Sequence, residues 1–262
     1  MFYGMPTLVE CKTLDECVEL ASSLGLDFVE INTSFPEYVY GNFDTGHARE
    51  FADAHGVFYT IHADEALNPF DFNPKVSDTY FEIMKDTLNI AKQIKAKTIN
   101  LHLQKGIYVT LPEKVILLTD VYHDIYIESV KRFIAMCESE LDGTDIRIVI
   151  ENVDTNAFSS SQIDALELFM KSKFFGLTLD TGHECKLKFA DLHIFEKYPE
   201  KLWHMHLHDC KAGSPHLPLG VGEVEIEKRL ACLKGDTCLL EVKTIAGLID
   251  SVKYIKDKEL KK

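Results

Sequence analysis

Short apolar runs rich in β-branched residues alternate along this chain with longer stretches whose apolar positions recur every three to four residues. That alternation marks βα units built around a parallel sheet. Eight strands are expected, at residues 2–9, 28–32, 58–63, 98–103, 147–153, 176–180, 202–208 and 237–242. Helices are expected between them. One starts at Thr13, where Glu16 three residues on completes a capping box. Another covers 77–94, with Phe81, Met84, Leu88 and Ala91 on one face. Further helices are expected at 122–141 and 246–255.

Eight units in 262 residues predict a single-domain, closed (β/α)8 TIM barrel, a fold of about 250 residues. A doubly wound open sheet is the alternative. It usually has fewer strands and a glycine fingerprint after the first, and neither GxGxxG nor GxxxxGK[ST] occurs here. The longest loops, 34–44, 65–75 and 209–225, all follow strands. In a barrel such loops build the active-site face.

Polar residues with metal-binding capacity end nearly every strand. Glu30 lies in FVEIN, His62 in YTIHAD, His102 in INLHLQKG, and Glu151 with Asn152 in IVIENV. Asp180 and His183 lie in LTLDTGH, and His204, His206, His208 and Asp209 in WHMHLHD. His216 follows in SPHLPLG, and Glu241 and Lys243 lie in LLEVK. An unpaired charge in an apolar run is expensive, and several acidic strand ends converging on one barrel mouth repel each other. A bound cation resolves that repulsion. Taken singly, each residue has a plainer explanation: a strand histidine satisfied in the core, Glu30 as an interior ion-pair partner, Lys105, Lys211 and Lys243 as solvated rim lysines. His47, His55, His123 and His193 fall in helical or loop patterns and are expected at the surface, and Trp203 is expected in the core.

Glu151, Asp180, His206 and Glu241 differ because they act as a set. They fall at matching depths on strands 5, 6, 7 and 8, four consecutive staves about 4.8 Å apart. Their tips can meet one divalent ion, and mixed carboxylate and imidazole ligation suits Mn2+, Zn2+, Co2+ or Fe2+, with Mg2+ a further choice.

At these residues the chain resembles the xylose-isomerase-like barrel superfamily of sugar isomerases and epimerases. The resemblance is carried by IHAD at 61–64, LHLQKG at 101–106, IENV at 150–153, LTLDTGH at 177–183, HMHLHD at 204–209, HLPLGVGEVE at 216–225 and LEVK at 240–243. It implies a metal held by Glu151, Asp180, His206 and Glu241, with His62 and His102 facing the same pocket. The implied reaction is isomerisation or epimerisation of a sugar or sugar phosphate, with Glu151 and Glu241 transferring the proton through an enediolate. His183, Lys211 and Glu30 would contact substrate.

The same superfamily includes endonuclease IV, a zinc phosphodiesterase acting on abasic DNA. Its additional zinc ligands map onto His62, His102, His183, His216 and an aspartate two residues before His216; Ser214 stands there in this chain. ENVDTNAF also lacks the glycine-containing turn expected after the glutamate in the nuclease. These departures weaken a third metal site, though additional Zn2+ stays open. A third reading is a metal-stabilised barrel that binds a polyol without turnover.

Bulk properties narrow the choice. The net charge is −14, from 28 Lys+Arg against 42 Asp+Glu, which argues against a nucleic-acid partner and against an anionic membrane surface. Seven cysteines without a CxxC pair read as reduced thiols in a cytoplasmic protein. No apolar run approaches the roughly 18 residues of a membrane span, and the first residues lack the basic and apolar regions of a signal peptide. The DKELKK tail is expected to fray. A homo-oligomer is left open.

Overall fold

The computed structural model describes residues 1–260; Lys261 and Lys262, the end of the expected frayed tail, lie outside the described residues. Eight strands close into a barrel. They are β1 (Phe2–Pro6), β2 (Phe28–Asn32), β3 (Phe58–His62), β4 (Thr98–His102), β7 (Arg147–Glu151), β8 (Phe175–Asp180), β9 (Leu202–Leu207) and β12 (Thr237–Leu240). Their order around the barrel is β1-β12-β9-β8-β7-β4-β3-β2, and every neighbouring pair is parallel. The expected (β/α)8 barrel is therefore present. Two antiparallel hairpins, β5 (Tyr108–Thr110) with β6 (Val115–Leu117) and β10 (Asp209–Lys211) with β11 (Ser214–Leu217), were not expected.

Among the described residues, ten α-helices accompany the strands: α1 (Leu14–Leu24), α2 (Thr45–His55), α3 (Pro74–Ile94), α4 (Leu118–Val121), α5 (His123–Leu141), α6 (Ser160–Phe169), α7 (Thr181–Lys186), α8 (Leu192–Lys197), α9 (Ile226–Leu230) and α10 (Ile245–Asp257). None is long and apolar enough to cross a membrane. The spacing of Phe81, Met84, Leu88 and Ala91 does mark the buried face of α3, but the helix starts at Pro74. Asn73 caps it, its side chain accepting from Lys75 N, and Pro74 supplies no amide hydrogen that needs a partner.

The Thr13 cap is half of a capping box. Thr13 accepts from Glu16 N, but the Glu16 carboxylate accepts from Lys12 N rather than from Thr13. At the other end, Leu260 is tied down rather than frayed: its N–H donates to Ile255 O at 3.0 Å and its carbonyl accepts from Tyr3 Oη at 3.2 Å.

What positions the site is the period of two along each strand. Thr60 and His62, Asn100 and His102, Val149 and Glu151, Thr178 and Asp180, His204 and His206 are pairs two residues apart on β3, β4, β7, β8 and β9. The first member of each pair is buried one step below the second. Barrel interiors are usually filled with branched apolar residues. Here the layer beneath the mouth holds Thr60, Asn100, Thr178 and His204, with Glu30 reaching in from β2. Below and outside this polar plug, rings such as Phe133, Phe169 and Phe175 pack the core.

Candidate metal centre

Glu151 ends β7, Asp180 ends β8, His206 lies on β9, and Glu241 follows β12. One donor atom from each lies within 4.8 Å of the others. His206 Nδ1 is 3.0 Å from Glu241 Oε2, 3.3 Å from Glu151 Oε1 and 4.0 Å from Asp180 Oδ2. All four residues are buried. The four residues read from the strand ends are thus brought together.

The donors fit a cation. Glu151 Oε1, His206 Nδ1 and Glu241 Oε2 are buried with no hydrogen-bond partner, as are His206 Nε2 and His204 Nε2 on the Glu30 side. A buried polar atom left unsatisfied is costly, and three such atoms aimed at one point, two of them on carboxylates, are resolved by a shared positive ion. The remaining carboxylate atoms are tied down. Glu151 Oε2 faces His102 Nε2 at 3.1 Å and accepts from Asn100 Nδ2, while Glu241 Oε1 accepts from Lys243 Nζ at 2.7 Å. Asp180 Oδ1 accepts from His183 N at 2.6 Å, as the cap of α7.

Asn152 locks β7 to β8 at this point. Its Nδ2 donates to Asp180 O at 3.0 Å and its Oδ1 accepts from Asp180 N at 2.8 Å. Asn152 was noted in the sequence only as a neighbour of Glu151.

The electrostatics agree with a site that expects an ion. Burial drives Glu151 and Glu241 towards the neutral form. Interaction of Glu151 with His206 and His102, and of Glu241 with Lys243 and His206, outweighs this and holds both well below the usual carboxylate range. Burial opposes charge on His206, yet Glu151, Glu30 and Glu241 raise its pKa well above the ordinary value. His183 likewise rises to about 10, burial being overcome by Asp180 and Glu151. Without a cation, protons on imidazoles balance the carboxylates.

Three further groups offer converging atoms: His62, His102 and Glu151; His183, His208 and His216; and, deeper in the barrel, Glu30, His204 and His206. His62 Nδ1 lies 2.8 Å from Ala63 O and His183 Nδ1 3.0 Å from Asn152 O, while His62 Nε2 lies 3.5 Å from Glu151 Oε2. His208 is different. Its Nδ1 accepts from His216 N at 2.7 Å and its Nε2 lies 2.9 Å from Asp180 Oδ2. It packs where Gly182 offers no side chain; a Cβ there would strike the His208 ring. Burial lowers the His216 pKa to about 4 despite Glu241, so that ring is neutral.

Glu30 turns both oxygens to protein partners: Oε1 lies 3.1 Å from His206 Nε2, and Oε2 lies 3.2 Å from His204 Nε2 and accepts from Thr60 Oγ1 at 2.8 Å. Lys211 is exposed on the β10–β11 hairpin, and Lys105 sits over the Tyr108 ring at 4.4 Å. Trp203 is not a core residue. It is half-buried between Arg147 and Lys201, at 4.6 and 4.9 Å, with Nε1 donating to Glu200 O. His47 and His193 are exposed as expected, and His55 and His123 half-buried.

Asp209 is the buried carboxylate that the sequence reading left without a role. It accepts four backbone N–H groups: Cys210 at 2.9 Å and Val224 at 3.0 Å on Oδ1, Gly220 at 3.0 Å and Gly222 at 2.7 Å on Oδ2. A Cβ at Gly222 would collide with that carboxylate. Converging backbone amides of this kind make an anion cradle, and the chain fills it with its own side chain.

A cavity of about 250 Å³ opens at the mouth, its walls including Glu30, Asn32, Phe35, His62, Glu241 and Lys243. A wider cleft of about 430 Å³ at the opposite barrel end, lined by Lys97, Thr98 and Arg147, carries none of these groups.

Fold and site together define a parallel barrel with a metal-capable cluster at the C-terminal ends of its strands. The chain belongs to the xylose isomerase-like TIM barrel family, whose model matches residues 18–257. No curated relative matches it by sequence. Among solved structures it is similar to a D-tagatose 3-epimerase-like protein, at 22% identity, 99% of this chain, 97% of the other and a TM-score of 0.76. It is also similar to D-psicose 3-epimerase with D-tagatose from Clostridium cellulolyticum H10, at 14% identity, 99% of each chain and a TM-score of 0.71. The IolI protein with a binding zinc atom matches at 16% identity, 98% of this chain, 97% of the other and a TM-score of 0.71. At these identities the likeness is one of fold.

Proposed function

We propose that this protein is a divalent-metal-dependent sugar epimerase or isomerase, with Glu151, Asp180, His206 and Glu241 holding the ion. The observation that carries the reading is the convergence of four donor atoms within 4.8 Å, three of them buried without a partner. Epimerases and a zinc-containing barrel among the similar folds support it. A bound divalent ion supplies Lewis acidity at the sugar's carbonyl and adjacent hydroxyl oxygens.

The chain's own carboxylates supply the proton chemistry. Glu151 and Glu241 stand on staves three apart in the barrel order and flank the cluster from different sides. One takes the proton from the carbon beside the carbonyl, leaving an enediolate, and the other, entering the step protonated, delivers its own proton to the opposite face, which inverts that centre. A single carboxylate carrying the proton between neighbouring carbons gives isomerisation instead. In the metal-free chain both are held ionised, so the one that acts as acid must take up a proton before the step.

An uncharged sugar suits the cavity better than a sugar phosphate. Lys243 is taken by Glu241, Lys186 by Asp154 at 2.7 Å, and the amide cradle around residues 220–224 by Asp209. The cavity of about 250 Å³ is below the range of about 300–1,000 Å³ typical of drug-sized ligands and matches one monosaccharide.

The rival reading is a phosphodiesterase with two or three zinc ions. The His62–His102–Glu151 and His183–His208–His216 groups favour it. Against it, His208 has both ring nitrogens engaged, and the net charge of −14 repels DNA.

The test is a panel of free sugars in D2O with metal-loaded protein, read by NMR for deuterium at the carbon beside the carbonyl. Exchange that disappears in both Glu151→Gln and Glu241→Gln, with the fold intact, supports the proposal. Near-normal exchange in both variants sinks it. Elemental analysis separates the rival: one ion per chain supports sugar chemistry, and three ions with cleavage of an abasic duplex support the nuclease.

A further inference from the structure

We infer that Glu30 is a positioning residue of the metal centre, which sets through His206 the imidazole nitrogen that faces the cation. The inference rests on the reading of His206 as a ligand.

His206 is fully buried and stands between two sets of oxygens. Its Nδ1 faces Glu241 Oε2 at 3.0 Å and Glu151 Oε1 at 3.3 Å. Its Nε2 lies 3.1 Å from Glu30 Oε1, from the opposite side of the ring, at ion-pair distance and not aligned as a hydrogen bond. A neutral imidazole has one N–H and one lone pair. To ligate through Nδ1 the ring must carry its hydrogen on Nε2. The carboxylates at Nδ1 pull the other way, because each would accept a hydrogen from that nitrogen. Glu30 supplies the opposing acceptor. Without it, Nε2–H would be a donor sealed inside the barrel with no partner, and the hydrogen would settle on Nδ1, where it blocks the ion.

Glu30 is built to stay in place. It is 1% exposed, and its second oxygen accepts from Thr60 Oγ1 at 2.8 Å and faces His204 Nε2 at 3.2 Å. His204 is anchored in turn, its Nδ1 2.8 Å from Thr237 Oγ1. Thr60 on β3 and His204 on β9 contact the carboxylate directly, and Thr237 on β12 holds His204 behind it. Glu30 also lines the mouth cavity, and its hold on His206 is a role separate from any contact with substrate. Metal-bound histidines commonly give their other N–H to a carboxylate, and loss of that partner typically weakens metal binding by about 10–100-fold.

The test measures Zn2+ affinity by competition with a chelator in wild-type protein and in Glu30→Gln, and the melting temperature of both metal-free chains. The glutamine keeps the volume but offers one acceptor where two histidines need one. The expected result is a loss of about 10–100-fold in affinity, beyond whatever the metal-free chain loses in melting temperature with the Glu30–His206 contact. A purely structural role would lower the melting temperature and leave the affinity alone. Equal affinities would overturn the inference while leaving the metal centre standing, whereas no Zn2+ binding by the wild-type protein would remove both.

Should Glu30→Gln not fold, long-range 1H–15N correlation of Zn2+-loaded wild-type protein decides the matter. His206 protonated on Nε2 and bare on Nδ1 is the expected signature; the reverse tautomer overturns the assignment.

Discussion

Lys243 Nζ lies 2.7 Å from Glu241 Oε1, which divides the Glu241 carboxylate into one oxygen bound to an ammonium and one left bare over the cluster. Burial alone would neutralise Glu241; Lys243, followed by His206, keeps it ionised. Lys243 also stays charged: burial works against its proton and Glu241 outweighs it. The lysine thus keeps one proposed base ready while occupying its second oxygen.

That arrangement predicts the behaviour of Lys243→Met. A carboxylate whose pKa is depressed by a cation loses a proton at lower pH than usual. Removing the cation reverses this, so Glu241 protonates at higher pH. The acid limb of the kcat/KM profile should therefore move upward in pH, with a fall at neutral pH of about tenfold, near the low end of what general acid–base assistance contributes. Profiles of the two metal-loaded enzymes check it. An acid limb that stays in place would mean that the ion, not Lys243, sets the charge on Glu241.

The strands were legible because each buries a short apolar run, and the four central residues because period-two alternation fixes which side chains face the barrel interior. What escaped the sequence had no such signal. Helix α2 reads TGHAREFADAH and buries only Ala48 and Ala52, too little apolar surface to give a face. All three residues of β5 are exposed, so nothing in the core dictates their spacing. Glu30 was legible as a buried strand acid but not as the partner of His206, because β2 and β9 are not neighbours in the barrel and their side chains come together only across its interior. Asp209 follows three histidines in WHMHLHD and read as one more member of that run; its amide partners come from residues 210 to 224 of a loop with no periodic pattern.

Metal binding should release protons. His206 is held well above its ordinary pKa in the metal-free chain by Glu151, Glu30 and Glu241, against the effect of burial. A ligand histidine must give up its proton on the ligating nitrogen. Affinity for Zn2+ or Mn2+ should therefore rise with pH through the neutral range. Calorimetry at pH 7 in buffers of different ionisation enthalpy should report release of about one proton or more per ion. Chelation should lower the melting temperature; at ion concentrations 100 times Kd the bound state gains about 2.7 kcal/mol. Asp180→Asn should lose most of that gain. Proton-neutral binding, or a melting temperature indifferent to chelator, would contradict the cluster's assignment.

Glu184 offers a stability test away from the cluster's donor atoms. It is 1% exposed, and its Oε2 has no partner. Burial, reinforced by Asp191, raises its pKa from 4.5 to about 7. A carboxyl that holds its proton more tightly when folded stabilises the fold fully below about pH 4.5. That contribution is lost as pH rises to about 7 and is absent above it. The difference corresponds to roughly 3 kcal/mol. Glu184→Gln keeps the shape and an acceptor for Asn152 Nδ2, which lies 3.5 Å from Glu184 Oε1. The variant should match wild type near pH 4.5 and grow more stable relative to it up to pH 7, by about 2 kcal/mol or more. Denaturation at a series of pH values reads this directly. A constant difference across the range would show that Glu184 does not titrate there.

Asp209 should prove the most sensitive residue of the loop that follows β9. Its carboxylate is 1% exposed and accepts from Cys210, Gly220, Gly222 and Val224. These bonds hold residues 220–224 against the β10 strand, with Glu223 N donating to Cys210 O at 2.9 Å. Asp209→Ala removes the acceptor and leaves four amides facing one another's positive ends. Stranding a buried donor costs about 1–3 kcal/mol, and some of these four can turn to water. A net loss of about 3 kcal/mol is expected, with new protease sensitivity within residues 212–224. The metal cluster's own carboxylates are untouched by this change, so Zn2+ affinity should fall far less than stability. Inorganic phosphate added to the variant should restore part of the lost stability by entering the vacated cradle, and should do nothing for wild type. Phosphate that stabilises both chains equally would mean that Asp209 does not occupy an anion site.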